Sequence, residues 1–290
     1  MNKEARRRGA ILVTVLWSVA LLSALAMAAS TTFRGFASIL GVDRDTIEAD
    51  ALLTAGVEAA ASLIINLGDV PLRDFETTVV MSHGLVHMAL SDQAGRIDVG
   101  RAPVELLTGL FHSIGGSDRQ ANEVARRIVE WRANDGRSGD PLKRTDQGGN
   151  DDSPFTDARQ LLQISDVPPE WVDAIAPLTT VYGNPTINPL TAPAEVIAAL
   201  PGISQAALLT FLRARDNSPT DVTQAQAILA AAQQYLEVKP TKVVSVSLAV
   251  KLADGFASAA QCVIVVLPDD TEPYRILVWN PLPSRLNARS

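Results

Sequence analysis

Few residues in this chain have the types and spacing to do chemistry. His83 and His87 form an H-x-x-x-H pair, but glycine rather than glutamate follows the first. The two histidines also fall on expected strands, where that spacing has none of the logic of a helical zinc site. His112 has no evident partner, and the chain contains neither a Gly-x-Ser-x-Gly elbow nor a phosphate loop. Cys262 is the sole cysteine, which removes an intramolecular disulfide and a cysteine-rich metal site. The densest run of oxygen donors lies between Asn134 and Asp157, where Asp135, Asp140, Asp151 and Asp152 could hold calcium, a hard ion that takes six to eight oxygens. Against this, Asp135-Gly136-Arg137-Ser138-Gly139-Asp140 lacks the every-second-residue acids of an EF-hand loop, and Lys143 and Arg144 interrupt the run. No catalytic constellation emerges, and the expectation is a chain that is not an enzyme and works by packing.

The 290 residues suffice for one large domain or two smaller ones, and 47% hydrophobic content with 20% charged excludes wholesale disorder. A formal charge of -7 speaks against a general polyanion binder. Lys3, Arg6, Arg7 and Arg8 form a basic head, and Ala10 to Phe33 then runs uncharged, long enough to cross a bilayer as a helix. The one-sided positive charge keeps the head cytoplasmic and the remaining chain outside. Three readings fit this start. Ala24-Leu25-Ala26 and Ala26-Met27-Ala28 offer cleavage sites of a secretory signal. A plain signal anchor is the second. The third is a prepilin-type leader ending at Gly9, where the basic head meets the apolar run, with cleavage leaving Ala10 as the new amino terminus.

Helical spacing continues past the apolar run. Arg34 to about Asn66 contains no proline, and Leu40, Ile47, Ala51, Ala55, Ala59 and Leu63 fall largely along one side. Gly35, Gly41 and Gly56 each cost roughly a kcal/mol relative to alanine and permit local bends. Thr77–Met81 and Leu85–Leu90 read as strands, as do Val243–Val250, Ala259–Leu267 and Tyr274–Trp279, the last two around Pro268-Asp269-Asp270. Between the two strand groups lies a helical block from about Gly100 to Pro240. The expected architecture is an α+β domain interrupted by a helical one.

That block contains a weak internal repeat. Ala102-Pro103-Val104-Glu105 resembles Ala192-Pro193-Ala194-Glu195, and the run Leu161–Val167 parallels Ile197–Ile203. Leu200-Pro201-Gly202-Ile203-Ser204 looks like the turn of a helix-hairpin-helix unit, with Gly202 allowing positive φ and Ser204 capping the next helix. Such turns often hold DNA backbone. From residue 100 to 240, however, 12 Lys or Arg face 17 Asp or Glu, and the turn itself carries no cation. That field opposes phosphate, so these units read as packing modules with no nucleic-acid partner.

Four stretches together resemble the type II secretion system minor pseudopilin K family, general secretion pathway protein K. They are the start Arg8-Gly9-Ala10-Ile11-Leu12-Val13-Thr14, the segment Ser91-Asp92-Gln93-Ala94-Gly95-Arg96-Ile97-Asp98, the run Val181-Tyr182 through Asn188, Thr191-Ala192-Pro193 and Glu195 to Gly202, and the final Tyr274–Trp279. The resemblance spans nearly the whole chain in order. It implies a type IV pilin-like α+β fold, in which a long N-terminal helix packs on an antiparallel sheet and a large helical domain with helix-hairpin-helix-like units is inserted. The corresponding segments are a leader at 1–9, a transmembrane helix at 10–33, a spine helix and first strands at 34–99, the insert at 100–240 and the closing strands at 241–290.

The resemblance further implies prepilin peptidase cleavage after Gly9, N-methylation of Ala10, and minor pseudopilins I and J as partners at the tip of a periplasmic pseudopilus. The precursor is expected in the bacterial inner membrane, with a single pass and a periplasmic C-terminal domain. Thr14 stands where most pseudopilins carry a glutamate that neutralises a neighbour's amino terminus inside the lipid. A subunit with nothing stacked above it does not need that carboxylate, so Thr14 marks a tip position. Family members associate calcium with a D-W-x-D-x-D run and a later G-A-E-D segment. Here Glu130-Trp131-Arg132-Ala133-Asn134-Asp135 keeps the tryptophan, arginine and asparagine stand among the expected acids, and no Gly-Ala-Glu-Asp run exists. The rival readings are a periplasmic binding protein or hydrolase freed by signal peptidase, and a nucleic-acid-binding envelope protein.

Overall fold

The structure is a computed structural model describing residues 3–68, 70–135, 154–239, 242–268 and 270–282; the side chains of 3–15, 28–42 and 135 are outside the description. Helix α1 (Lys3–Leu67) is 65 residues long, roughly 100 Å at 1.5 Å per residue. It is continuous through Gly35, Gly41 and Gly56. Its C-terminal part buries Ala49, Leu52, Leu53, Val57, Ala60, Ala61 and Ile64, spaced three or four apart, which places them on one stripe.

That stripe lies on a five-stranded antiparallel sheet of order β1-β2-β5-β6-β7. The strands are β1 (Phe75–Met81), β2 (Gly84–Asp92), β5 (Val243–Leu252), β6 (Ala257–Val266) and β7 (Tyr274–Leu282). All five expected strands are present; four are extended by two or three residues, and β6 begins two residues earlier and ends one earlier than expected. Val244, Val246, Leu248, Val250 and Leu252 alternate inward along β5, and Ala260, Cys262, Ile264 and Val266 do so along β6. These meet the α1 stripe to form the core of the sheet body. Gly56 sits where the approach is tightest: a Cβ there would lie 2.9 Å from Val86 Cγ1 and 3.0 Å from Leu248 Cδ2. Its role is close helix-to-sheet contact, not a bend.

Strands β2 and β5 are hydrogen-bonded neighbours, with Asp92 opposite Val244, so everything between them occupies the place of a hairpin loop. This inserted part has its own core. It contains β3 (Ile97–Asp98), α2 (Val104–Ser113), α3 (Asp118–Asp135), α4 (Pro169–Ile175), β4 (Thr179–Thr180), α5 (Ala194–Ala198), α6 (Gln205–Asn217) and α7 (Val222–Ile228). Ile97 and Val99, at the end of the expected first-strand segment, pack in this second core. The expected helical block also holds a short parallel pairing of β3 with β4.

Among the described residues of the insert, the turns α2–α3 and α5–α6 and the one leading into α4 each contain one residue with positive φ. Gly115 (98°) lies between α2 and α3, Asp166 (62°) before α4, and Gly202 (78°) between α5 and α6. Ser204 Oγ accepts from Ala207 N at 3.2 Å, capping α6 as its position suggests. The Ser117 hydroxyl donates to Gln120 Oε1 at 2.7 Å at the start of α3. Phe111 stacks on Trp171 and Trp131 on Phe155, with centroids 5.6 and 4.6 Å apart.

Candidate assembly surface

The most unusual surface of the molecule is the N-terminal part of α1. Leu16, Trp17, Val19, Leu21, Leu22, Leu25 and Met27 are all exposed, Leu16 and Trp17 at 71%. At about 1.5–3 kcal/mol for each large apolar side chain, leaving seven in water forgoes roughly 10–20 kcal/mol. A stretch of this kind needs lipid or other helices around it. The uncharged run Ala10–Phe33 that contains it lies wholly within α1, which is long and apolar enough to cross a membrane. Asp43–Leu67, with mean hydropathy 1.4, meets the same criterion by composition, but its apolar stripe is spent on the sheet and Asp50 and Glu58 face outward. It is a core helix.

A second, milder apolar surface lies on the sheet body. By register Ile276 lies beside Ile264 and Trp279 beside Cys262, on the face of the sheet that α1 covers. Both remain exposed because they lie on the edge strand, beyond the reach of the helix. The outer ridge of α1 beside them carries Ile47, Ala51, Thr54, Glu58 and Ser62.

The expected processing residues Gly9, Ala10 and Thr14 lie on the helical backbone of α1, and their side chains are outside the description. Asp135 ends α3, while Asp140, Asp151 and Asp152 lie outside the described residues. Among the described residues no three His, Cys, Asp or Glu side chains converge as a metal site. The histidines are structural or exposed: His83 is in the β1–β2 turn, His87 Nδ1 bonds Thr78 Oγ1 at 3.0 Å, and His112 pairs with Asp118 at 3.2 Å. The Cys262 thiol faces α1, and burial pushes its pKa up to about 11, well away from a reactive thiolate. A cleft of about 180 Å³ with mixed polar and apolar walls lies between the outer sheet face and the insert, lined by Arg96, Asp157, Tyr182, Gln261, Val263 and Val278 among others.

Sequence patterning did not reveal the polar groups that close the insert and join its two ends. Asp98 is fully buried in β3, with its carboxylate accepting from Gly100 N at 2.7 Å and Gly183 N at 2.8 Å. Burial raises its pKa, and the two amide bonds and the Arg101 and Arg132 charges pull it back down. Asn188 donates from Nδ2 to the Lys239 carbonyl at 3.1 Å, while Leu190 N donates to its Oδ1 at 3.1 Å. Its own N–H donates to the Ala94 carbonyl at 2.8 Å, joining entry and exit of the insert. Arg215 donates to the carbonyls of Pro189 and Ala192 and lies over the Phe211 ring. Gly95 packs so closely on Thr191 that a Cβ would lie 2.7 Å from its carbonyl.

No protein-family model matches the chain, and no curated protein matches it in sequence. Among solved structures it is similar to a chain of the GspK-GspI-GspJ complex from the enterotoxigenic Escherichia coli type 2 secretion system. The identity is 12% and the TM-score 0.54, over 83% of this chain and all of the other. At that identity the likeness is one of fold.

Proposed function

We propose that this chain is a minor pseudopilin of a type II secretion system, acting by assembly with other minor pseudopilins at the pseudopilus tip. The observation carrying this reading is the exposed apolar stretch Leu16–Met27 of a 65-residue helix whose C-terminal part is the spine of a sheet body. The fold shared with a chain of a three-pseudopilin complex supports it. In this reading the chain is pilin-like, with a transmembrane helix at 10–33 and a body formed by the end of α1 and the five strands. The insert between β2 and β5 is a separate packing domain of helix-hairpin-helix-like units. The leader ends at Gly9, the prepilin peptidase exposes Ala10 for methylation, and Thr14 fits a subunit with none above it. Partner helices run beside α1 in the inner membrane, and the periplasmic insert caps the bundle. No role in catalysis is proposed.

Sequencing the mature amino terminus tests the processing: methylated Ala10 is expected, whereas a start near Met27 or Ala29 would mean a freed periplasmic protein. Co-purification of the full chain with the same organism's minor pseudopilins I and J tests the assembly. If neither accompanies it, the reading fails. Salt-sensitive DNA binding by the purified chain would instead favour the nucleic-acid alternative.

A further inference from the structure

The chain enters the insert from β2 and returns from it to β5, and Asn188 draws the two connections together through Ala94 and Lys239. Among the described residues the two apolar cores share no member, and the cleft separates the insert from the outer face of β5, β6 and β7. Apolar packing therefore leaves the angle of the insert about this crossing to other contacts. Arg73 makes such a contact on the far side of the crossing from the cleft, in the connection from α1 to the edge strand β1. Its Nη1 donates to Asp216 Oδ1 of α6 at 2.9 Å, joining residues 143 positions apart. Both partners are held by their neighbours in sequence. Leu72 is buried in the core of the body, and the buried Arg215 is bonded to the Pro189 and Ala192 carbonyls of the insert. An exposed ion pair gains little when two free side chains must be ordered, and here the backbone at each end is already fixed, which removes part of that cost.

We propose that Arg73 and Asp216 form a latch that sets the angle of the insert on the sheet body. With the pair formed, the insert is held down over the outer sheet face. Without it, the insert rocks about the β2–β5 crossing and the cleft opens. The latch does not depend on the assembly reading and stands or falls separately from it.

The test is thiol labelling of the full chain in detergent. Ser245 lines the cleft from β5 and is buried, so in a chain carrying Ser245→Cys and Cys262→Ala the labelling rate follows the fraction of time the cleft is open. Arg73→Ala and Asp216→Ala should each raise that rate about 1.5- to fivefold, the range an exposed ion pair spans. The double variant should label no faster than either single one, because both remove the same contact. Arg73→Lys, which keeps the charge, should stay closer to the parent rate. The native Cys262, buried against α1, serves as the control for the body, and its rate should not change when Arg73→Ala is made with Ser245 intact. An unchanged rate at position 245 overturns the latch, as do two single effects that add in full. A Cys262 rate that rises in step overturns it too, because the body itself would then have loosened.

Discussion

The sheet body and the insert close their cores by different means. In the body the work is done by alternation: apolar residues at every second position of β2, β5 and β6 meet one stripe of α1, and where that helix meets the sheet the close contact at Gly56 is against side-chain methyls. In the insert the helices are short, and the tightest contacts are against backbone. A Cβ at Gly109 of α2 would lie 1.9 Å from the Ala199 carbonyl oxygen beside α5, a distance no rotamer change relieves. Buried polar groups then tie the loops that apolar stripes cannot reach. The seam between α1 and the sheet should therefore tolerate volume changes that the helix contacts of the insert do not.

The largest effect should follow Gly109→Val. Backbone must move by an ångström or more, placing the variant among the exceptional losses of about 4 kcal/mol or greater. Hydrogen exchange should show α2, α3 and α5 losing protection while β5 and β6 keep theirs. Equal loss in both regions would mean that the two cores fold as one unit.

Asn188→Ala should come next. It strands the Leu190 amide and the Lys239 carbonyl, one buried and both at the junction, for a cost of about 2–3 kcal/mol. Denaturant unfolding measures the loss. If Asn188→Asp, which keeps the acceptor for Leu190, is as unstable as the alanine variant, the bond to Leu190 contributes little.

How much of this was legible in the sequence follows from the same contrast. The sheet body could be read from the chain because the alternation Val244, Val246, Leu248 and the proline-free run to Asn66 are periodic signals. The Ser204 cap and Gly202 turn were likewise local and visible. Asp98, Asn188 and Arg132 were not, since each bonds a backbone group tens of residues away, which local periodicity does not show. Gly109 was hidden because a glycine inside a helix reads as a weakness until the opposing carbonyl is known. The two-residue strands β3 and β4 are too short to carry any alternation. The assembly surface was half legible: the apolar run stood out, whereas Ile276 and Trp279 looked like ordinary strand residues until the register placed them beyond the helix.

Asp98 sharpens the contrast through pH. Its pKa is raised in the folded protein by burial, so between its ordinary value and the raised one the folded state holds more proton than the unfolded. Stability therefore falls as pH rises through that window and is level above it, and the ionised carboxylate is a net cost at neutral pH. Asp98→Asn removes this acid-side slope, but its amide nitrogen faces either Gly100 N–H or Gly183 N–H and leaves that donor unpaired. A loss of about 1–3 kcal/mol at pH 7 is expected, with a flatter profile just above the carboxylate range. A slope unchanged by the substitution would assign the acid-side titration to another group.

The smallest effect is expected at Gly56, where two terms oppose each other. Alanine is the better helix former by about 1 kcal/mol, while overpacking typically costs about 1–3 kcal/mol. Here the obstructing atoms are Val86 Cγ1 and Leu248 Cδ2, ends of side chains that can shift by a few tenths of an ångström. Gly56→Ala should therefore lower stability by only about 1 kcal/mol. Paired with Leu248→Ala, it should lose less than the two changes added separately, because the cavity left by one receives the methyl of the other. Strict additivity would show that the helix lifts as a whole instead of its neighbours yielding, and the body would then be as unforgiving as the insert.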